Sequence, residues 1–188
     1  MLAANTDVLD DWSRLRDRAV PLVIEHRTQP LRDALLAPLL DRAPFTIRAE
    51  GEVPAVLAQL AELPDALCAD VADLAARFTA LMQVDAVRVR VEGVVSNACK
   101  KVHADHTDIR LITTYAGPGT DYAPHGADSD GDICCLERVP TGAVALFKGR
   151  TFAPDHPPCL HRSPPIEGSG ERRLVLVIDT PLKPTSSD

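Results

Sequence analysis

The chain has 188 residues, 45% of them hydrophobic, with five cysteines and a formal net charge of −7. This length predicts one domain with its own core, and the acidic balance argues against a nucleic-acid partner, because phosphate binding needs a basic face. The absence of a bilayer-length apolar stretch, of a basic N-terminal segment and of a repeating cysteine spacing argues against a membrane span, a signal peptide and a disulfide framework, so we expect a cytoplasmic protein.

The first part of the chain, residues 1–84, is predicted to be a helical extension that packs on the core. Apolar residues recur at helical spacing near residues 8–19 and 31–36, and residues 45–50 are a candidate strand. The clearest helix follows Pro64, because five apolar residues fall on one face. They are Leu67, Val71, Leu74, Phe78 and Leu81.

From residue 85 the pattern changes to short strands separated by Gly and Pro. Val87, Val89 and Val91 alternate with charged residues, which is typical of a half-buried strand. This first candidate strand runs over residues 86–95. The further candidate strands are 100–105, 108–116, 143–148 and 171–179. Helices followed by many short strands predict an α+β protein, with a β-sandwich or a jelly-roll (double-stranded β-helix) over residues 85–180 and the helices packed outside. Residues 181–188, and above all 184–188, are predicted to be a disordered tail.

Two histidines and a carboxylate form a candidate metal site. His103 and Asp105 would project from the same side of a strand, since residues i and i+2 share a face. His161, from a second strand, would complete the triangle. Two histidines and one carboxylate with open positions are the ligand set of a non-heme Fe(II) centre, whereas structural zinc usually has four protein ligands.

An arginine pair opens the last predicted strand. Alternation places Arg173 with Val175 and Val177, and Arg172 on the other face. One of them is expected to face the interior, where a buried guanidinium needs an anionic partner such as a carboxylate. Alternation alone does not decide which, but the valines that follow favour Arg173; a surface ion pair is the alternative for either residue.

These residues lie in strings that resemble a known family. The order H-x-D, distal His and basic residue is similar to the Fe(II)/2-oxoglutarate-dependent oxygenase superfamily over about residues 85–179. More narrowly, three segments resemble the bacterial family "domain of unknown function 1826". They are CKKVHAD (99–105), RLITTYAGPGT (110–120), and HRSPP (161–165) with GERRLVLVID (170–179).

The resemblance implies a set of roles. His103, Asp105 and His161 would hold Fe(II), and Arg173 or Arg172 would bind the distal carboxylate of 2-oxoglutarate. Tyr115 is a further candidate for that carboxylate, with an ordinary strand aromatic as the alternative. The implied reaction is hydroxylation of a small molecule or a protein side chain, coupled to decarboxylation of 2-oxoglutarate to succinate. It requires no side-chain acid or base, and it leaves the substrate and the oligomeric state open.

Three other features offer alternatives. Cys159 or another cysteine could join the triad in a zinc-binding or metal-sensing protein without catalysis, although no C-x-x-C is present. Arg110 could contact an acid ligand, but a salt bridge with Asp108 or another carboxylate is the safer interpretation. The acidic loop 128–132 lacks the residues of a calcium loop and could act as a lid.

Overall fold

The computed structural model describes residues 12–28, 31–125 and 135–181. The acidic loop 128–132 and the predicted tail 184–188 lie outside these residues. Two antiparallel sheets and three α-helices make up the described part of the chain. None of its helices has the length and apolar character needed to cross a bilayer.

The elements are labelled in chain order. The helices are α1 (Asp33–Asp41), α2 (Val53–Gln59) and α3 (Asp65–Met82), and a 3₁₀ turn covers Arg14–Arg16. The strands are β1 (Leu22–Glu25), β2 (Phe45–Gly51), β3 (Val87–Val94), β4 (Ile109–Ala116), β5 (Asp121–Tyr122), β6 (Glu137–Arg138), β7 (Val144–Lys148), β8 (His161–Arg162) and β9 (Arg173–Asp179). A six-stranded sheet has the order β1-β7-β4-β9-β3-β2, and a three-stranded sheet has the order β6-β5-β8.

Alternation of side chains gives the six-stranded sheet two distinct faces. The helix face packs on the helices; its residues include Val89, Leu111, Leu146, Leu176 and Ile178, which are buried with the apolar side of α3. The open face is the opposite one. Its residues include Ile112, Phe147, Arg173, Val175 and Val177, and Val139 and Cys159 pack against its apolar part.

Most predicted elements are present. The helix after Pro64 and the strands predicted at 45–50, 86–95, 108–116, 143–148 and 171–179 are confirmed, with ends that differ by up to two residues. Strand β1 was not predicted, and together with β2 it brings two strands from the first 84 residues into the large sheet. The division of the chain at residue 84 therefore stays a prediction.

The strand predicted at 100–105 is wrong. This segment is irregular apart from an isolated bridge between His103 and His161. Its last residue bonds instead to a distant part of the chain, since Arg150 N donates to Asp105 O at 2.8 Å, and just past the segment Gly149 N donates to Asp108 O at 2.7 Å. Local alternation could not reveal these partners, because they come from the turn after β7.

Candidate metal centre

Three side chains converge at the edge of the open face. The potential ligand atoms of His103, Asp105 and His161 all lie within 4.8 Å of one another. Nε2 of His161 is 3.1 Å from Asp105 Oδ2, and Nε2 of His103 is 3.4 Å from Asp105 Oδ1. The bridge between residues 103 and 161, with reciprocal N–H···O bonds of 2.9 and 2.8 Å, holds both histidines in place.

Backbone carbonyls set the orientation of both imidazoles. His103 Nδ1 lies 2.8 Å from Lys101 O, and His161 Nδ1 lies 3.1 Å from Cys159 O. A carbonyl can only accept, so each Nδ1 carries a proton, and Nε2 is the nitrogen of each ring that faces Asp105 and could coordinate a metal through its lone pair. This arrangement is typical of metal-binding histidines, whose other nitrogen is fixed by a hydrogen bond.

Asp105 lies between the two imidazoles as a carboxylate. Burial alone would raise the pKa of Asp105, but the contact with His161 and the charge of Arg110 lower it to about 2. Arg110 Nη1 is 2.7 Å from Oδ1. The buried Oδ2 has no hydrogen-bond partner among the described residues, although His161 Nε2 is close. Two imidazole nitrogens and a buried carboxylate oxygen without a hydrogen-bond partner therefore face each other, an arrangement that a bound cation would stabilise.

This donor set fits a divalent first-row metal. Two neutral imidazole nitrogens and one carboxylate are the ligands of non-heme Fe(II) sites, which leave further positions open. No cysteine of the described residues belongs to the cluster, so the sulfur ligand of the zinc alternative is lacking there. His106, three residues after His103, is exposed and lies outside the cluster.

The triad opens into a cavity of about 500 Å³ on the open face of the sheet. Its floor is apolar and contains Ile112, Val175 and Val177, and its rim contains Phe45 and the segment 93–99. Arg173 lines the same cavity. A metal at the triad would thus lie beside a chamber that can admit small molecules.

Arg173 is a buried cation without a carboxylate partner. The residue is 2% exposed, and burial lowers its pKa to about 10 despite the charges of Asp121 and Glu92. Its Nε donates to Pro118 O at 2.7 Å, and Nη2 is 3.4 Å from Thr114 Oγ1. No ion pair joins it to any carboxylate in the described ranges, so its charge is compensated only by uncharged acceptors.

The other two predicted co-substrate residues lie elsewhere. Arg172 is exposed and donates to Leu40 O and to Asp41, each at 2.9 Å. Tyr115 lies on the helix face, where its hydroxyl donates to Asp70 Oδ2 at 2.6 Å. Burial, followed by the charge of Asp70, raises its pKa well above the usual value. Neither residue lines the cavity, so the structure does not bring them to the triad, and the roles predicted for them stay predictions.

Sequence reasoning missed several residues of the cavity. The salt bridge predicted for Arg110 is present, and its partners are two other carboxylates, Asp105 and Asp179. Arg90 and Glu92 on β3 also line the cavity. The alternation of β3 contained a signal for both, since it placed them opposite the buried valines, but it could not tell a solvated face from a cavity wall.

A family model for proteins of unknown function, DUF1826, matches residues 17–179. The chain belongs to the DUF1826 family. No curated protein matches its sequence.

Solved structures resemble this DUF1826 protein at low identity. A dioxygenase for auxin oxidation from rice has 13% identity and a TM-score of 0.54, over 95% of this chain and 80% of that one. The dioxygenase for auxin oxidation 1 from Arabidopsis thaliana, in a binary complex with 2-oxoglutarate, has 12% identity and a TM-score of 0.53, over 95% and 90%. A prolyl-4-hydroxylase from Pseudomonas putida has 12% identity and a TM-score of 0.54, over 95% and 98%. At these identities the similarity shows that the DUF1826 protein shares their fold.

Proposed function

We propose that this DUF1826 protein is an Fe(II)- and 2-oxoglutarate-dependent oxygenase, and specifically a hydroxylase. In this proposal the two antiparallel sheets are the halves of a double-stranded β-helix, and residues 1–84 extend and buttress a core of residues 85–180. His103, Asp105 and His161 are the iron ligands. The similarity in fold to oxygenases, one of them in complex with 2-oxoglutarate, supports the proposal.

The observation that carries the proposal is the pairing of the triad with Arg173 in one cavity. A buried guanidinium is stable only if an anion or several acceptors compensate it, and Arg173 has only uncharged acceptors among its hydrogen-bond partners. A dicarboxylate that reaches the triad with one end can meet this guanidinium with the other. The planar fork of arginine matches a carboxylate in a bidentate manner.

When bound, iron and 2-oxoglutarate would supply the oxidising power to insert one atom of O₂ into a C–H bond, with release of succinate and CO₂. The side chains of the protein would position the bound groups and exclude water from the cavity. The hydrogen bonds to Lys101 O and Cys159 O keep Nε2 of each histidine free to coordinate. The floor of Ile112, Val175 and Val177 separates the triad from Arg173 with apolar surface, which orients a dicarboxylate and keeps water away from the reacting centre.

The test is an anaerobic titration of the metal-free protein with Fe(II), with and without 2-oxoglutarate. We expect the visible metal-to-ligand charge-transfer band of the chelate in the wild type. His161→Ala should lose metal binding, and Arg173→Ala should weaken 2-oxoglutarate binding by at least tenfold, because one charge-assisted contact contributes roughly 1.5–3 kcal/mol.

Arg172→Ala is the matched control, since it removes the neighbouring arginine from an exposed position outside the cavity. It should leave the band and the 2-oxoglutarate affinity unchanged. Tight zinc uptake without a band would contradict the oxygenase and favour a metal-binding protein. Loss of the band in Arg172→Ala but not in Arg173→Ala would contradict the assigned co-substrate subsite.

A further inference from the structure

Two arginines face each other across neighbouring strands on the open face. The register of β2 and β3 places Arg48 directly opposite Arg90. Ala49, Val89 and Val91 beside them point into the helix-side core, so both arginines project from the other face. Like charges directly opposite each other in an antiparallel pair destabilise it, since their Cβ atoms are only about 5 Å apart.

Adjacent cross-strand pairs have no such conflict. Glu50 lies opposite Arg88, and Thr46 lies opposite Glu92, with a hydroxyl-to-carboxylate distance of 3.4 Å. The like-charged pair is therefore specific to one position of an otherwise complementary ribbon. A local conflict of this kind is expected where a ligand compensates it.

The positive charge of this arginine pair is only partly compensated by carboxylates of the protein. Arg90 Nε is 3.3 Å from Glu92 Oε2, but the buried Nε–H has no hydrogen-bond acceptor in the described residues. The side chain of Arg48 is exposed and forms no ion pair or hydrogen bond with the residues that the structure describes. Glu50 and Asp179 line the same depression as the two arginines, but neither forms an ion pair with Arg48 or Arg90 among the described residues.

Arg48 and Arg90 lie next to the cavity of the metal triad. Arg90 lines both that cavity and an adjoining depression of about 310 Å³, and Arg48 lines the depression. Across the sheet, Arg90 pairs with Val177 and Val177 pairs with Ile112 on the cavity floor. Arg90 and Ile112 are separated by two strand spacings, about 10 Å between their Cα atoms.

The pair is also separate from Arg173. On β3 the residue opposite Arg173 is Val94. Arg90 lies four positions earlier on that strand, so the two arginines are about 13 Å apart along the sheet. An anion at Arg173 therefore leaves Arg48 and Arg90 available.

We propose that Arg48 and Arg90 bind an anionic group, carboxylate or phosphate, of the molecule that is oxidised. The substrate class is then a small molecule that carries an anionic group apart from its reacting carbon. This inference rests on the proposed oxygenase function, which supplies the reaction. The anion site itself does not require it.

The experiment follows arginine Nε–Hε resonances of the isotopically labelled full chain by NMR during titration with inorganic phosphate and, separately, with acetate. We expect saturable shifts of the Arg48 and Arg90 resonances. Arg48→Gln and Arg90→Gln should each weaken binding about tenfold, the effect of removing one hydrogen bond to a charged group. Tighter binding of acetate than of phosphate, despite its smaller charge, would point to a carboxylate on the substrate.

Arg18→Gln is the matched control, since it removes the same charge from an exposed residue that precedes β1, at the opposite edge of the sheet. It should bind both anions like the wild type. Arg90→Lys keeps the charge but not the fork and should bind with intermediate affinity. Because the substitutions relieve repulsion, the melting temperatures of the Gln variants should equal or exceed that of the wild type. Unchanged anion binding in both Gln variants, no saturable response, or a response confined to Arg173 would each overturn the proposal.

The two proposals can fail separately. Anion binding at Arg48 and Arg90 needs neither iron nor 2-oxoglutarate, so it is measured on the metal-free protein. If the chelate band fails to form while phosphate or acetate still binds these arginines, the oxygenase function is wrong and the anion site stands. If the band forms and neither anion binds them, the oxygenase stands and the substrate subsite is wrong.

Discussion

Arg110 joins Asp105 to the last residue of β9. Its Nη1 lies 2.7 Å from Asp105 Oδ1, while Nε and Nη2 donate to the two carboxylate oxygens of Asp179 at 2.8 and 2.9 Å. The arginine is on β4 and Asp179 is its cross-strand partner on β9. A residue in an irregular segment is thereby fixed to the centre of the six-stranded sheet, and one carboxylate oxygen is left for a metal.

Replacing Arg110 should weaken the metal site and the fold together. Arg110→Gln leaves the largely buried Asp105 without its arginine and leaves Asp179 only the more distant Arg88, at 3.9 Å, which we expect to cost about 3 kcal/mol of unfolding free energy. Metal affinity should fall by about 10- to 100-fold, as for other groups that orient a ligand. Denaturant unfolding and metal titration measure the two effects. Arg110→Lys should recover part of the affinity.

Arg138→Gln serves as the control for Arg110. It removes an arginine–aspartate pair of the same length, 2.7 Å to Asp121, from the small sheet, where Arg162 still contacts that carboxylate. We expect unchanged metal affinity. An Arg110→Gln protein that binds metal as tightly as the wild type would show that the loop alone positions Asp105.

Tyr115 should act on stability and not on the co-substrate. Tyr115→Phe removes a buried hydroxyl that donates to the carboxylate of Asp70, which also pairs with Arg27. We expect a loss of about 1–3 kcal/mol in unfolding free energy, with unchanged 2-oxoglutarate affinity. Tyr122→Phe, which removes a partly exposed contact with Glu137, should cost less. Weaker 2-oxoglutarate binding in Tyr115→Phe alone would support the co-substrate contact that the sequence predicted for Tyr115.

Gly149 should be required for the position of the Asp105 segment. A Cβ at this residue would lie 2.2 Å from Thr107 O and 2.9 Å from Asp105 O, and both are backbone atoms that cannot rotate away. We expect Gly149→Ala to destabilise the fold by roughly 1–3 kcal/mol and to weaken metal binding measurably. Gly168→Ala, where a Cβ meets nothing within 4 Å, bears only the cost of its positive φ and should bind metal normally. Equal metal affinity in the two variants would contradict this view.

Cys159 should resist thiol reagents in the folded protein. It is 2% exposed, and burial raises its pKa to about 12, so little thiolate exists at neutral pH. Cys99 and Cys135 are exposed. With iodoacetamide at pH 8 and mass spectrometry of the peptides, we expect rapid labelling of Cys99 and Cys135, and labelling of Cys159 only after unfolding. Labelling of Cys159 at the rate of Cys135 would show that the open-face core opens readily.

Residue patterns by themselves determined the elements with strong periodicity and the identity of the candidate ligands. Helix α3 and strand β3 follow from spacing alone, because a 3.6-residue or two-residue repeat of apolar residues leaves one arrangement that buries them. The triad was recognised from residue type and order, although its supposed basis, a strand through residues 103 and 105, was wrong. Its geometry comes from Arg110 and the turn after β7, which are far away in sequence.

Tertiary structure alone decided which face of each strand meets the cavity. Alternation separates Arg172 from Arg173 and Tyr115 from Thr114, but residues on both faces of β4 and β9 are largely buried, one face against the helices and the other along the cavity. Only the packed neighbours distinguish them. The meeting of Arg48 with Arg90 likewise depends on the register between β2 and β3, since a slip of one residue would send one of the two to the helix side. Register and packing are properties of pairs of distant segments, and no single segment specifies them.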